Sequence, residues 1–519
     1  MEHKFKTSYM LAVILFLLAC QIASAQQKDT VVVNADLGTV KISKYIYGQF
    51  AEDLGHGIYG GVWVGPNSDI PNIDGIRKDV VEALKKIDVP DVRWPGGCFA
   101  DQYHWKDGIG PRKDRPKRVN MWGNVVDDNG FGTAEFLEFC KLIGAEPYLA
   151  GNVGSGTVRE MKQWVEYLTY PDGTTLSNLR KENGHPAPYH IKFWGVGNES
   201  WGCGGEMTPE FYADQYKRYT TYLSNYGGNH LFKIASGPNG SDYHWTQVLM
   251  KDVGRRMNGL SLHYYTIAGP SWGDKGPSTN FPEKLYFDAL KKAKQMDEIV
   301  SRHSSIMDQY DPHKHVALVV DEWGIWTDAL PGTNPGFLEQ QNSMRDALVA
   351  STTLDIFNKH AARVRMANIA QMVNVLQAMI LTKGKQMVLT PTYYVFDMYK
   401  VHMGATYLPI SIHSANYTFD GDSLPAISAT ASKDSTGKVH ITLSNIDPSK
   451  KQTVVIDLRG INLHSVHDGQ ILTAKSFDSV NTFENPDNVK PKPFHDARLR
   501  DGRLTVEMPS KSIVALELQ

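Results

Sequence analysis

Four acids follow short apolar runs in this chain. Glu52 comes after Y-G-Q-F-A, Asp101 after R-W-P-G-G-C-F-A, Glu199 after I-K-F-W-G-V-G-N and Glu322 after V-A-L-V-V-D. An unpaired carboxylate at the end of a buried strand costs on the order of several kcal/mol, so the placement asks for a reason. A lone strand-end glutamate is as often an ion-pair partner or a helix cap as a catalyst. Two of them in Gly/Trp-rich settings, W-G-V-G-N-E-S-W and V-D-E-W-G, are a different case. Paired glutamates suit glycoside hydrolysis, in which one protonates the leaving oxygen and the other attacks the anomeric carbon or activates water. Their surroundings must then hold one protonated and the other ionised. Trp194, Trp201, Trp323 and Trp326 flank the pair and offer faces for sugar stacking, and Asn198 stands ready for a hydroxyl. Strand alternation sends Asp321 to the face opposite Glu322, which suits a structural or supporting acid.

Such acids act together only if the fold converges them. Eight apolar runs are candidate strands: Tyr45–Phe50, Val89–Trp94, Glu146–Ala150, Ile191–Val196, Lys233–Ser236, Leu260–Tyr265, Val316–Val320 and Val364–Ile369. Amphipathic stretches lie between them. Val80, Val81, Ala83, Leu84 and Ile87 share one helical face, as do Phe136, Leu137, Phe139, Cys140 and Ile143, and 209–226 and 343–359 also read as helices. Strand and helix in alternation predict an α/β chain with a (β/α)8 barrel over 45–404, whose strand C-termini face one shared site. From 405 to 519 helical runs cease. Val439–Ser444, Thr453–Leu458, Leu504–Met508 and Ile513–Leu518 predict an additional all-β sandwich. The early run Thr30–Val33, within 26–44, is expected to add an N-terminal strand to it.

The 519 residues suit one barrel-sized domain plus a smaller one. A net charge of −2 gives no electrostatic reason to expect nucleic acid as a partner. Residues 1–25 read as a signal peptide: Lys4 and Lys6, the apolar Met10–Leu18, then Ala23-Ser24-Ala25. Leu17-Leu18-Ala19-Cys20 also resembles a lipobox, so a lipid anchor at Cys20 is the competing route. Either way the expectation is an exported enzyme, periplasmic or secreted, or a lipoprotein. Cleavage after Ala25 leaves Cys98, Cys140 and Cys203, enough for one disulfide at most. No C-x-x-C pair or H-E-x-x-H helix is present, and a metal-independent hydrolase without cofactor is expected.

Together R-W-P-G-G-C-F-A-D at 93–101, G-N-V-G-S-G-T at 151–157, W-G-V-G-N-E at 194–199, V-D-E-W-G at 320–324 and N-V-L-Q-A-M at 374–379 resemble the α-L-arabinofuranosidases of glycoside hydrolase family 51. The motifs occur in order across the barrel, and the all-β tail fits that family's sandwich. The resemblance implies a retaining, exo-acting enzyme with Glu199 as general acid/base and Glu322 as nucleophile. It also implies that Asn198 binds the sugar 2-hydroxyl and that Arg93 sits beside the nucleophile. Tyr265 in L-H-Y-Y-T would contact the nucleophile, with Tyr264 as the alternative. Glu52, Cys98 and Gln377 match sugar-contacting positions, and Trp122 and Trp326 match pocket walls. Gln49, Asp53 and Ser200 depart from residues frequent in the family.

Bland readings stand beside these. Arg93 could be a core ion-pair partner, Cys98 a small buried hydrophobe, and Gln377 a partner for buried backbone. The resemblance implies an arabinose-containing polysaccharide or oligosaccharide as substrate and a homo-oligomer, a hexamer by analogy. The competing functions are an endo-acting glucanase or xylan-active hydrolase on the same scaffold, and a non-catalytic glycan-binding protein, which loss of either glutamate would mark.

Overall fold

The computed structural model describes residues 29–519. The leader and the Cys20 lipobox lie outside the described residues. Eight parallel strands close into a barrel in sequence order: Gly48–Phe50, Asp91–Trp94, Glu146–Gly151, Phe193–Val196, Phe232–Ala235, Gly259–Ile267, Ala317–Trp326 and Val364–Ala370. The eighth pairs with the first through Asn368 opposite Gly48. Every apolar run singled out above becomes a barrel strand, with ends shifted by a few residues. A helix follows each, from Lys78–Lys86 after the first to Pro391–Tyr399 after the eighth. Tyr148, Phe193, Ile234, Ala317, Val319 and Met366, from five of the strands, pack as one apolar cluster that fills the barrel.

The seventh strand is irregular. Val319 lies opposite Ser261 but Glu322 lies opposite His263, so this strand carries one residue more than its sixth-strand neighbour. The count toward the eighth strand slips in the same way, between Val320 and Trp323. Such a bulge breaks the two-residue alternation of side chains. Asp321 therefore does not turn away from the site. Its Oδ2 accepts a 2.7 Å hydrogen bond from the Tyr148 hydroxyl, and its Oδ1 accepts one of 2.6 Å from Ser261 Oγ.

Eleven further strands form two facing sheets. One runs Ile410–His413, Asp29–Asn34, Gln452–Arg459, Arg503–Met508, Ala497–Arg500. The other runs Thr406–Tyr407, Ile427–Lys433, Val439–Asn445, Ser512–Leu518, Val466–Thr473, Lys492–Pro493. Val31, Val33, Ile441, Leu443, Val454, Ile456, Leu504 and Leu516 fill the space between them. The strand Asp29–Asn34 is interior to its sheet, parallel to Gln452–Arg459 and antiparallel to Ile410–His413.

The helix Met344–Lys359 joins the two halves and is buried from Met344 to Asn358, as a helix covered on all sides must be. Two of its polar groups pair across that seam. Ser444 Oγ donates to Ser351 Oγ at 2.8 Å, and Ser428 Oγ donates to Asp355 Oδ2 at 2.6 Å. Such pairing removes most of the cost of burying them.

Candidate active site

At the C-terminal end of the barrel a cavity of about 240 Å3 is lined by Glu52, Cys98, Trp122, Glu199, Tyr265, Glu322 and Trp326, together with Trp201, Trp272, Asn239, Leu338, Gln371 and Leu376. Seven of the ten residues singled out from sequence thus meet in one pocket. Arg93 and Asn198 connect to it from behind. Arg93 Nη1 donates to Glu322 Oε1 at 2.7 Å, and its Nη2 donates to Asn198 Oδ1 at 2.5 Å. Of the two tyrosines, Tyr265 reaches Glu322, donating to its Oε2 at 2.8 Å. Tyr264 points away, and its hydroxyl donates to the Lys292 carbonyl at 2.9 Å.

Gln377 is a correction. It is fully buried, its Oε1 accepts from the Ile325 amide at 2.8 Å, and its Nε2 donates to the Asp346 carbonyl at 2.7 Å. Those bonds tie the seventh strand to the helix that follows it and leave no amide for a sugar. Gln371 takes the pocket place. Its Oε1 accepts from the Glu52 amide at 3.1 Å and its Nε2 donates to Glu52 Oε2 at 3.2 Å. It stands directly after the eighth strand, so the strand-end rule that marks Glu199 and Glu322 also marks it. Trp194 and Trp323 are corrections as well. Both are buried; Trp194 packs edge-on to Trp164, and Trp323 packs on Phe357 and Phe396. Of the four tryptophans near the glutamates, Trp201 and Trp326 reach the pocket. Trp272, 53% exposed, stands edge-to-face on Trp326 with ring centres 5.5 Å apart and forms the rim.

Backbone geometry aims the acids. After the fourth strand, Gly197 and Glu199 both have positive φ, 84° and 38°. A non-glycine residue there carries strain, which the surrounding loops must hold. Asp101 supplies part of that hold. Its Oδ2 accepts from the Asn198 amide at 3.0 Å, and its Oδ1 accepts from the Val153 and Gly154 amides at 2.7 and 2.8 Å. Asp101 is thus a clamp on the loops after the third and fourth strands, which answers why an acid ends that run. Gly204 lets the chain fold back on itself, because a Cβ there would come 1.8 Å from the Asn198 carbonyl.

Glu52 is held as tightly. Its Oε1 accepts from the Phe99 amide and from Trp122 Nε1, each at 2.9 Å. Burial and the nearby Glu322 charge push its carboxyl up to about 7. Gly97 leaves it room: a Cβ at that position would lie 2.6 Å from both carboxylate oxygens. Gly97→Ala is expected to displace Glu52, raising KM for an arabinofuranoside about tenfold and lowering stability by about 1–3 kcal/mol, the usual range for overpacking. Steady-state kinetics and thermal denaturation of the variant check both.

His263, absent from the sequence-derived set, is the hub of the electrostatics. Its Nδ1 lies 2.8 Å from Glu199 Oε1 and 3.6 Å from Glu322 Oε2, and its Nε2 lies 3.3 Å from Asp321 Oδ1. Burial works against its charged form, but the charge of Glu322 and the bonds to Asp321 and Glu199 prevail and push the ring up to about 10. It is therefore an imidazolium at neutral pH. Burial lifts Glu199 above the ordinary carboxylate range; the His263 bond offsets part of that and the Glu322 charge adds to it. Asp321, opposed by burial, is held well below that range by Arg93 and His263. One carboxyl fit to carry a proton thus faces another bound by Arg93, the arrangement that acid/base and nucleophile roles require. Because His263 works against protonation of Glu199, His263→Gln is expected to raise the Glu199 pKa further. The alkaline limb of the kcat/KM–pH profile should move up by on the order of one unit. A limb that stays in place would mean that Glu199 does not set it.

Two family models match the chain. That of the α-L-arabinofuranosidase 1 domain covers residues 83–268, and that of the α-L-arabinofuranosidase C-terminal domain covers 321–512. An intracellular exo-α-L-arabinofuranosidase of Bacteroides ovatus is 55% identical over 97% of this chain and 98% of its own length. The chain belongs to the α-L-arabinofuranosidases of glycoside hydrolase family 51. Among solved structures, a family 51 arabinofuranosidase of Xanthomonas axonopodis pv. citri is 51% identical with a TM-score of 0.94, covering 95% of this chain and 100% of that one. An arabinose complex of the Thermotoga maritima α-L-arabinofuranosidase is 31% identical with a TM-score of 0.83, covering 94% and 99%. The expected barrel and sandwich, and a glycoside hydrolase acting on arabinose-containing glycans, are borne out for this member of the family. Export is not. The Bacteroides relative is named an intracellular enzyme and matches nearly end to end, which overturns the expectation of a periplasmic, secreted or lipid-anchored protein.

Proposed function

We propose that this family 51 enzyme is exo-acting and retaining, and that it releases terminal non-reducing arabinofuranose from arabinan, arabinoxylan or their oligosaccharides by double displacement. One observation carries the stereochemistry. An oxygen of Glu199 and an oxygen of Glu322 lie within 4.8 Å of each other. Inverting pairs stand roughly 6.5–9.5 Å apart to admit a water, whereas retaining pairs stand about 5–5.5 Å apart.

In this reading Glu199 protonates the glycosidic oxygen while Glu322 attacks the anomeric carbon and forms an arabinosyl ester. Glu199, now a carboxylate, then deprotonates the water that hydrolyses the ester. Tyr265 and Arg93 each hold one oxygen of Glu322, which fixes the plane of the attacking carboxylate. Glu52 and Gln371 face the sugar hydroxyls, Trp122 and Trp326 wall the ring, and the Asn198 amide serves the 2-hydroxyl. Trp201 and Trp272 at the mouth offer apolar faces to the leaving sugar. A cavity of about 240 Å3 suits one furanose ring at a chain end, whereas an endo-acting enzyme needs a cleft for sugars on both sides. Assembly into homo-oligomers, up to a hexamer, belongs to the same reading and is checked by light scattering on the eluting protein.

The test is hydrolysis of an arabino-oligosaccharide followed by proton NMR during the first minutes. Free arabinose released one unit at a time, first appearing as the α-anomer, supports the reading. First-formed β-arabinose overturns retention, and oligomeric products overturn the exo assignment.

A further inference from the structure

Beside the pair of glutamates lies chemistry that the reaction does not use. Cys98, on the loop after the second strand, is disulfide-bonded to Cys203, on the loop after the fourth. Both sulfurs rest against the carboxylate assigned to proton transfer. Cys203 Sγ is 3.4 Å and Cys98 Sγ 3.8 Å from Glu199 Oε2. Cys98 lines the cavity and Cys203 is exposed at its mouth, so solutes reach the sulfurs by the path the substrate takes. The other cysteine among the described residues, Cys140, is buried away from them.

We infer that the reduced form of this pair, together with Glu199, is a binding site for a thiophilic divalent cation such as Zn2+, and that occupying it switches the enzyme off. The inference rests on the role of Glu199 proposed above. The chemistry is balanced in two steps. A dithiol reductant gives two electrons and two protons to the disulfide; its own sulfurs become a disulfide while Cys98 and Cys203 become thiols. Zn2+ then displaces the two thiol protons and the proton that Glu199 carries, all three passing to solvent, and forms two Zn–S bonds, one bond to a Glu199 oxygen and one to water.

The ligand set of two thiolates, one carboxylate and a water is one that zinc accepts in a tetrahedral site. The three protein atoms already lie within 4.8 Å of one another. With Zn–S bonds of about 2.3 Å, the two sulfurs of a tetrahedral site stand roughly 3.8 Å apart, a spacing the thiols can reach once the covalent bond between them is broken. While the bond is closed, the sulfurs have no thiolate to offer, and the site does not exist. A metal-bound Glu199 cannot protonate a leaving oxygen, so the disulfide acts as a guard that keeps thiophilic metal off the acid/base. In a reducing medium the guard is lost and free zinc becomes an inhibitor.

The experiment uses the full chain in two portions, one treated with dithiothreitol and desalted without oxygen, the other left oxidised. Thiols are counted after denaturation, zinc binding is read by competition with a chromogenic chelator, and turnover is followed on p-nitrophenyl α-L-arabinofuranoside. The expected result is two additional thiols, one Zn2+ per chain bound by the reduced portion alone, more than tenfold loss of turnover at stoichiometric zinc, and recovery with EDTA. Reduced Cys203→Ser should bind zinc at least a hundredfold more weakly, whereas reduced Cys140→Ala should bind it as wild type does. A thiol count that does not rise by two, equal zinc binding in both portions, or zinc bound without loss of turnover overturns the inference. Absence of turnover in the oxidised protein would strike the proposed function instead, and zinc binding by the two portions and by Cys203→Ser would still decide the site.

Discussion

Replacing Glu322 with alanine is expected to lower kcat for p-nitrophenyl α-L-arabinofuranoside by on the order of 10⁴-fold or more, the scale on which a covalent nucleophile is missed. The good leaving group does not soften this loss, because the missing event is attack on carbon. The variant also leaves Arg93, buried and charged, without its closest carboxylate. Breaking a buried pair from one side costs about 3–5 kcal/mol. Here Asp321, 3.5 Å from Arg93 Nε, and Asn198 keep part of the compensation. Glu322→Gln separates the two effects, since it keeps the shape and a hydrogen-bond acceptor for Arg93 while removing the attacking charge. Equal losses in both variants, with the Gln form folded by circular dichroism, assign the loss to chemistry. Azide entering the space left in Glu322→Ala attacks from the nucleophile's side and should yield the β-arabinosyl azide. Activity within tenfold of wild type in the Gln variant would place the nucleophile elsewhere.

Glu199→Ala should behave differently in three respects. Substrates with an alcohol leaving group lose the proton they need, so hydrolysis of arabino-oligosaccharides should fall by about 10²–10⁴-fold. The p-nitrophenyl substrate departs without protonation, so its first step is spared and the second, water activation, becomes limiting. The arabinosyl ester then accumulates, and KM should fall together with kcat. Azide needs no general base. It should restore turnover and give the α-arabinosyl azide, the anomer opposite to that from Glu322→Ala. The contrast in anomers distinguishes the two glutamates more sharply than any rate does. If azide leaves the rate unchanged while the ester is seen by mass spectrometry, the base role of Glu199 fails.

Much of this site is legible in sequence because it is built on a repeated local rule: an apolar run ends, and the next polar residue faces the cavity. Glu52, Glu199 and Glu322 follow it, and so does Gln371, for which the N-V-L-Q-A-M stretch points instead to the wrong glutamine. What the rule cannot see is set between strands. The bulge in the seventh strand turns both Asp321 and Glu322 inward, and it shows only in the register against the sixth and eighth strands. His263 has no distinguishing spacing. Its importance comes from three carboxylates that arrive from two other strands. The pairing of Cys98 with Cys203 spans 105 residues and depends on how two loops fold over the barrel mouth. Trp194 and Trp323 sit next to the right residues in sequence, but strand alternation carries them to the outer face against the helices.

The placement of Asp29–Asn34 inside a sheet whose other strands begin at Ile410 has a consequence for how the chain is made. The barrel is an insertion within the sandwich, so a strand that leaves the ribosome ahead of the whole barrel is among the last to find its neighbours. At roughly 5–20 residues per second, several hundred residues of barrel take tens of seconds to emerge. For that time Val31 and Val33 belong to a strand with neither of its edges paired, the kind of segment that invites wrong partners. Once released, the same strand fastens the chain's beginning to its end. The domain that contributes no group to the reaction thus becomes the lock that closes after synthesis is complete.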